Sequence, residues 1–158
     1  MRILAPLVAT LAIISGTASV AADDAAKKVV FVCEHGNVKS LMAASYFNQL
    51  AAQRGLPFHA VSRGVAPDST TVPKPIAAGL HEDGFDVRDF HPSRIAAGDI
   101  DEAVRVVAIS TELPPGVRVD EQRVEHWSDV PAASVSYADA RAALRAHVAA
   151  LLERLAAE

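Results

Sequence analysis

One thiol stands in the whole chain, Cys33, and it lies six residues before Lys39 in the stretch VVFVCEHGNVKS, Val29 to Ser40. A β-branched apolar run passes there into a polar, turn-forming segment and then into residues that suit a helix start. A loop of that kind offers unpaired backbone N–H groups and the positive end of a helix dipole, both of which favour an anion. Gly36 and Asn37 tolerate the backbone angles that let successive N–H groups turn inward. The same field favours the thiolate of Cys33. Lys39 adds a fixed positive charge, and Ser40 a hydroxyl able to donate to sulfur. Together these residues describe a nucleophile facing a bound oxyanion. A free cysteine is also among the most buried residue types, often a small apolar side chain with no chemistry. The polar neighbours Glu34, His35, Gly36, Asn37 and Lys39 argue for the reactive reading.

Such a loop needs a strand before it and a helix after it. Val29 to Cys33, apolar without alternation, reads as a strand covered on both faces. Leu41 to Gln53 reads as a helix with Leu41, Ala44, Phe47, Leu50 and Ala51 along one stripe and Gly55 closing it. Phe58 to Ser62 is a second strand, and Pro73 with Pro75 opens a helix running toward Gly84. Val104 to Ile109 and Arg123 to Trp127 read as two further strands. Tyr137, Ala140, Leu144, Val148, Leu151 and Leu155 recur at helical spacing, so a long amphipathic helix closes the chain. Strands alternating with helices predict a parallel sheet between helical layers, with ligands bound beyond the carboxyl ends of the strands. The loop at Cys33 sits at that edge.

At 158 residues the chain suits a single domain. Arg2, the apolar stretch Ile3 to Ile14 and the small residues Ser15 to Ala22 have the layout of a secretory signal peptide, assigned to residues 1–21. An uncleaved anchor is the alternative, although the apolar stretch is short for a membrane span. On this reading the mature protein is exported, periplasmic or secreted, and is not inserted in a membrane after cleavage. Without those residues Lys+Arg falls to 14 against 19 acids, a net charge of −5, which argues against nucleic acid as a partner. One cysteine allows no internal disulfide, and an unpaired thiol in an oxidising compartment is either buried or used.

The loop, Cys33 followed by five residues, Lys39 and Ser40, resembles the Cys-x5-Arg-Ser phosphate loop of the low-molecular-weight protein tyrosine phosphatases and the related thioredoxin-coupled arsenate reductases. The likeness continues in family order. "AVSRGV" resembles the second strand and its Ser-x-Gly turn. "AAGLHEDGFDVRDFHPSRI" is similar to the helix, Gly-hydrophobic-Asp turn and His-x-Ser-Lys/Arg segment. "VEHWSDVP" resembles the His-Trp strand leading to the Asp-Pro loop. The resemblance covers residues 28–158 and implies an α/β three-layer sandwich with a four-stranded parallel sheet in flavodoxin-like order 2-1-3-4. It implies phosphoryl- or arsenyl-transfer on an oxyanion or phosphomonoester, with no metal and no other cofactor. Cys33 is then the nucleophile, Lys39 the basic residue and Asp129 the general acid, while Glu34, His35, Gly36, Asn37, Val38 and Ser40 form the rest of the substrate loop.

Several residues depart from the family pattern. Lysine replaces the loop arginine, a point charge in place of a planar fork, which costs roughly 1.5–3 kcal/mol if one charge-assisted bond is lost. That corresponds to about 10- to 150-fold in rate. Glu34 follows the nucleophile and opposes an anion unless its side chain points outward, an effect a protonated His35 offsets. The Gly-Asn pair stands one position from its usual place. Val130 separates Asp129 from Pro131, leaving a turn or capping role as the alternative for Asp129, with Asp120 and Glu121 as weaker acids. Trp127 reads as core, and no aromatic pair is present to clasp a phosphotyrosine ring. With no second cysteine a self-contained arsenate reductase is excluded. His81 and His91 lack metal-ligand spacing. The reading is a cysteine-dependent phosphatase, with a non-catalytic phosphate or arsenate binder, or an arsenate reductase using an external thiol, as alternatives.

Overall fold

The computed structural model describes residues 25–158; the leader assigned to residues 1–21 lies outside them. Four strands, β1 (Lys27–Cys33), β2 (Phe58–Gly64), β3 (Ala103–Ile109) and β4 (Val124–Trp127), form one sheet in the order β2-β1-β3-β4. Every pairing is parallel, with Cys33 opposite Gly64. The helices are α1 (Lys39–Gln53), α2 (Lys74–Glu82), the short α3 (Ala97–Asp101) and α4 (Tyr137–Ala157). The α/β three-layer architecture expected from the alternation of elements is the one found.

β1 is an inner strand, and Val29, Val30, Phe31 and Val32 are all fully buried, which only a sheet covered on both faces allows. Their parity separates the two cores. Val29 and Phe31 join α1, α2 and α4 in the larger cluster, with Phe47, Leu80, Val107, Leu144 and Leu151. Val30 and Val32 face Ile95, Ile100 and Val106 beneath α3 and the segment holding Leu113 and Val119. Cys33 continues the parity of Val29 and Phe31, so its side chain faces α1. Phe31 lies 5.7 Å from Phe47 and 5.5 Å from Trp127 between ring centroids, so Trp127 is core as expected. Each such fully buried side chain contributes about 1.5–3 kcal/mol of transfer free energy.

The helix ends follow local chemistry. Ser136 caps α4, its hydroxyl accepting from Asp139 N at 3.2 Å, and Pro75 stands in the first turn of α2, where a missing N–H costs nothing. Helix α1 begins two residues earlier than its apolar stripe, so Lys39 and Ser40 are its first two residues. α3 has no apolar periodicity to announce it. It is held by the Asp99 carboxylate, which accepts from Ala96 N at 3.1 Å and pairs with Arg63 and Lys28.

Candidate active site

The loop from Glu34 to Val38 leaves the end of β1 and turns into α1. Gly36 makes this turn with φ of 74°, in the left-handed region, and a Cβ there would lie 2.6 Å from Gly64 N. Glycine is required at Gly64 for the mirror reason, since its own Cβ would meet the His35 carbonyl carbon at 2.7 Å. Backbone bonds fix the same contact: Val65 N donates to Cys33 O at 3.0 Å and Ala66 N to Glu34 O at 2.8 Å. Gly64 is in turn paired on its other side, donating to Ser93 O and accepting from Ile95 N.

The start of α1 carries no side-chain cap, and no acid stands in its first turn. Its leading N–H groups and dipole therefore face the loop without a carboxylate of their own. Beneath the loop runs a chain of polar contacts. Cys33 Sγ lies 2.9 Å from Ser40 Oγ, and Ser62 Oγ lies 2.8 Å from Ser40 Oγ and 3.0 Å from Gly36 O. With a neutral thiol three protons serve three contacts. With a thiolate Ser40 turns its proton to sulfur, a charge-assisted bond in a site that holds Ser40 fully buried. Asn37 donates from Nδ2 to Thr71 O at 2.9 Å, while its Oδ1 is buried without a partner.

A cavity of about 420 Å³ opens over Cys33. Glu34, His35, Val38 and Lys39 form one side, Pro73, Pro75 and Ile76 a second, and Ile109, Ser110 and residues 132–134 close it. Among the described residues no Phe, Tyr or Trp side chain lines it. Lys39 reaches across from α1 and donates at 2.9 Å to both Ser110 Oγ and Val130 O, joining the turns after β3 and β4. Two of its three N–H groups are thereby engaged, and one remains for an anion. Burial lowers its ammonium below the ordinary lysine range, and the sulfur of Cys33 acts in the opposite sense.

The structure thus brings Cys33, Glu34, His35, Val38 and Lys39 to one cavity, with Gly36, Asn37 and Ser40 supporting the loop from below. Glu34 is turned to the rim, where it accepts from Thr111 Oγ1 at 3.1 Å, the outward orientation that an anion site requires. Asp129, expected as the general acid, is not on the cavity wall. Its side chain is 71% exposed and accepts from His147 Nε2 at 2.9 Å, and the His147 ring stacks on Trp127 at 4.6 Å. The physical reason is Val130, which is 4% exposed: the residue inserted before Pro131 takes the inward position and turns Asp129 toward α4. Asp120 caps the turn at Glu121–Arg123 and has no place in the site. His91 Nδ1 lies 2.9 Å from Thr70 O, and among the described residues no group of three or more His, Cys, Asp or Glu could hold a metal ion. Ser110 was not legible as a partner of Lys39. It has φ of 51°, a backbone state that its residue type does not announce.

The sequence profile described as low molecular weight phosphotyrosine protein phosphatase matches residues 28–129. No curated protein matches the chain by sequence. Among solved structures, YfkJ from Bacillus subtilis superposes with a TM-score of 0.70 at 18% identity, covering 82% of this chain and 94% of that one. A low molecular weight protein tyrosine phosphatase from T. tengcongensis gives 0.67 at 20% identity over 81% and 99% of the two chains. An arsenate reductase from Archaeoglobus fulgidus gives 0.60 at 25% identity over 82% and 99%. Among the described residues no helix is long and apolar enough to cross a membrane.

Proposed function

Since the chain belongs to the low-molecular-weight phosphotyrosine protein phosphatase family, we propose that it is a cysteine-dependent hydrolase of phosphomonoesters that works through a cysteinyl-phosphate. One observation carries this reading: the chain's one thiol lies on the floor of a cavity that opens onto the uncapped start of α1, 2.9 Å from the Ser40 hydroxyl and beside the Lys39 ammonium. In the first step Sγ attacks phosphorus as the bond to the ester oxygen breaks. The loop N–H groups and the third N–H of Lys39 meet the non-bridging oxygens, where charge stabilisation is preorganised. In the second step water displaces the thiolate, which the Ser40 hydroxyl stabilises as a leaving group.

The wall built by Pro73, Pro75 and Ile76 is apolar, and among the described residues no Phe, Tyr or Trp lines the cavity, which supports aryl and alkyl phosphates of modest size without a dedicated clasp for a phosphotyrosine ring. We assign the activity to a compartment outside the cytoplasm on the leader-like composition of residues 1–21. The test is hydrolysis of p-nitrophenyl phosphate. Cys33→Ser is expected to abolish turnover, and equal rates in the two proteins overturn the reading. The arsenate reductases among the structural neighbours support a second one, oxyanion capture with any reduction left to a thiol from outside, because Cys33 is the chain's only thiol. Calorimetric binding of phosphate and arsenate without turnover would select it.

A further inference from the structure

A phosphoester leaving oxygen needs a proton, and the carboxylate expected to supply it faces His147. Four ionisable side chains line the cavity: Cys33, Glu34, His35 and Lys39. Cys33 is the nucleophile, Lys39 holds two anchors as a cation, and Glu34 is turned to Thr111 at the rim. His35 remains.

We propose that His35 is the general acid-base of this site and that Asp68 is its positioning residue, an assignment that rests on the hydrolase reading above. His35 Nδ1 lies 3.3 Å from Ala66 O and 3.3 Å from Asp68 Oδ1. A carbonyl and a carboxylate can only accept, so the Nδ1 proton is fixed by its surroundings and Nε2 is the atom left to exchange protons. The main chain on either side is immobilised: Glu34 O accepts from Ala66 N, and the His35 carbonyl group is pressed against Gly64. The same hydrogen bond that shapes the loop therefore sets the distance between His35 and the segment that orients it. As Sγ bonds to phosphorus and the ester P–O bond breaks, the Nε2 proton of the imidazolium passes to the leaving alkoxide or phenoxide. Water then loses a proton to the neutral Nε2 as its oxygen bonds to phosphorus and the S–P bond breaks. Phosphate leaves, and thiolate and imidazolium are restored.

General acid catalysis is felt in proportion to how poor the leaving group is. The measurement is kcat/KM for p-nitrophenyl phosphate and for phenyl phosphate. His35→Gln is expected to lower hydrolysis of phenyl phosphate by about 100- to 1,000-fold while costing p-nitrophenyl phosphate less than about tenfold. Asp68→Asn is expected to steepen the dependence in the same direction by a smaller factor. An equal loss on both substrates in His35→Gln overturns the proposal, as does a steepening confined to Glu34→Gln or Asp129→Asn. Equal hydrolysis by wild type and Cys33→Ser would instead strike the underlying hydrolase reading. A second measurement does not depend on turnover: in Cys33→Ser titrated with inorganic phosphate, the nitrogen resonance of His35 Nε2 is expected to move. An Nε2 signal that ignores the anion overturns the assignment.

Discussion

At Lys39 two of three ammonium protons are committed to Ser110 and Val130, so the charge that meets an anion is held in place before the anion arrives. Lys39→Ala is expected to lower phosphatase turnover by about 100- to 1,000-fold, the usual cost of removing one donor to transition-state charge. Lys39→Arg is expected to equal or exceed the wild type, because a fork adds a second bond; steady-state assay of the three proteins decides it. The pH sense follows from burial, which makes the folded protein release this proton at a lower pH than an ordinary lysine. Phosphate affinity should therefore fall with rising pH in the wild type before the ordinary lysine range is reached and hold in Lys39→Arg, read by calorimetry. Among the described residues Ser40 makes the only side-chain hydrogen bond to Cys33, and it can donate to a thiolate. Ser40→Ala is expected to slow iodoacetamide alkylation at neutral pH by about tenfold or more. Cys33, Lys39 and Ser40 were legible because they are contiguous with the loop. Asp68, Thr111 and Ser110 were not, since each is an ordinary surface residue type that acquires its role only across the fold.

The elements bearing the site meet where side chains are absent or fully paired. Gly36 and Gly64 place loop and strand in direct contact, and Gly36→Ala adds a Cβ where backbone stands at 2.6 Å with φ of 74°. It is expected to cost about 1–3 kcal/mol by urea unfolding and to depress turnover further than that loss of stability explains. Helices α1, α2 and α4 converge on Asp83, whose side chain is 7% exposed and accepts from Tyr46, Tyr137 and Arg141. Burial alone would raise this carboxyl; the three hydrogen bonds outweigh it and hold it below the ordinary range. Tyr137 is pushed up to about 12 by burial and by Asp83. A depressed carboxyl stabilises the fold above its unfolded value and loses that contribution as pH falls through the folded one. Asp83→Asn should therefore cost about 1–3 kcal/mol at neutral pH, with the gap to wild type closing below about pH 4, measured by thermal unfolding. An unbroken apolar run foretold β1, and helical periodicity foretold α1 and α4, within a few residues. Periodicity was silent on α3, five residues long and held by Asp99 rather than by an apolar stripe.

Across the whole molecule the two faces of the sheet are unequal. One carries α1, α2 and α4; the other is roofed by α3 and the loops bearing Leu113 and Val119. The run along β1, apolar without alternation, foretold cover on both faces but not which face is the thicker. The orientation of Asp129 was not foretold either, because one inserted residue reverses which side chain points inward and only the packed core decides which. Amide exchange is expected to be fastest under the thin roof, with α3 amides exchanging ahead of those in α1. The clamp on Gly64 sets a further relation. With β1 on one side and Ser93–Ile95 on the other, the floor of the anion loop is riveted into the sheet itself. Loss of turnover in rising urea should coincide with loss of the far-ultraviolet dichroism of the chain. On the proposed function the activity is then its own gauge of denaturation, holding at full strength until the moment the scaffold gives way.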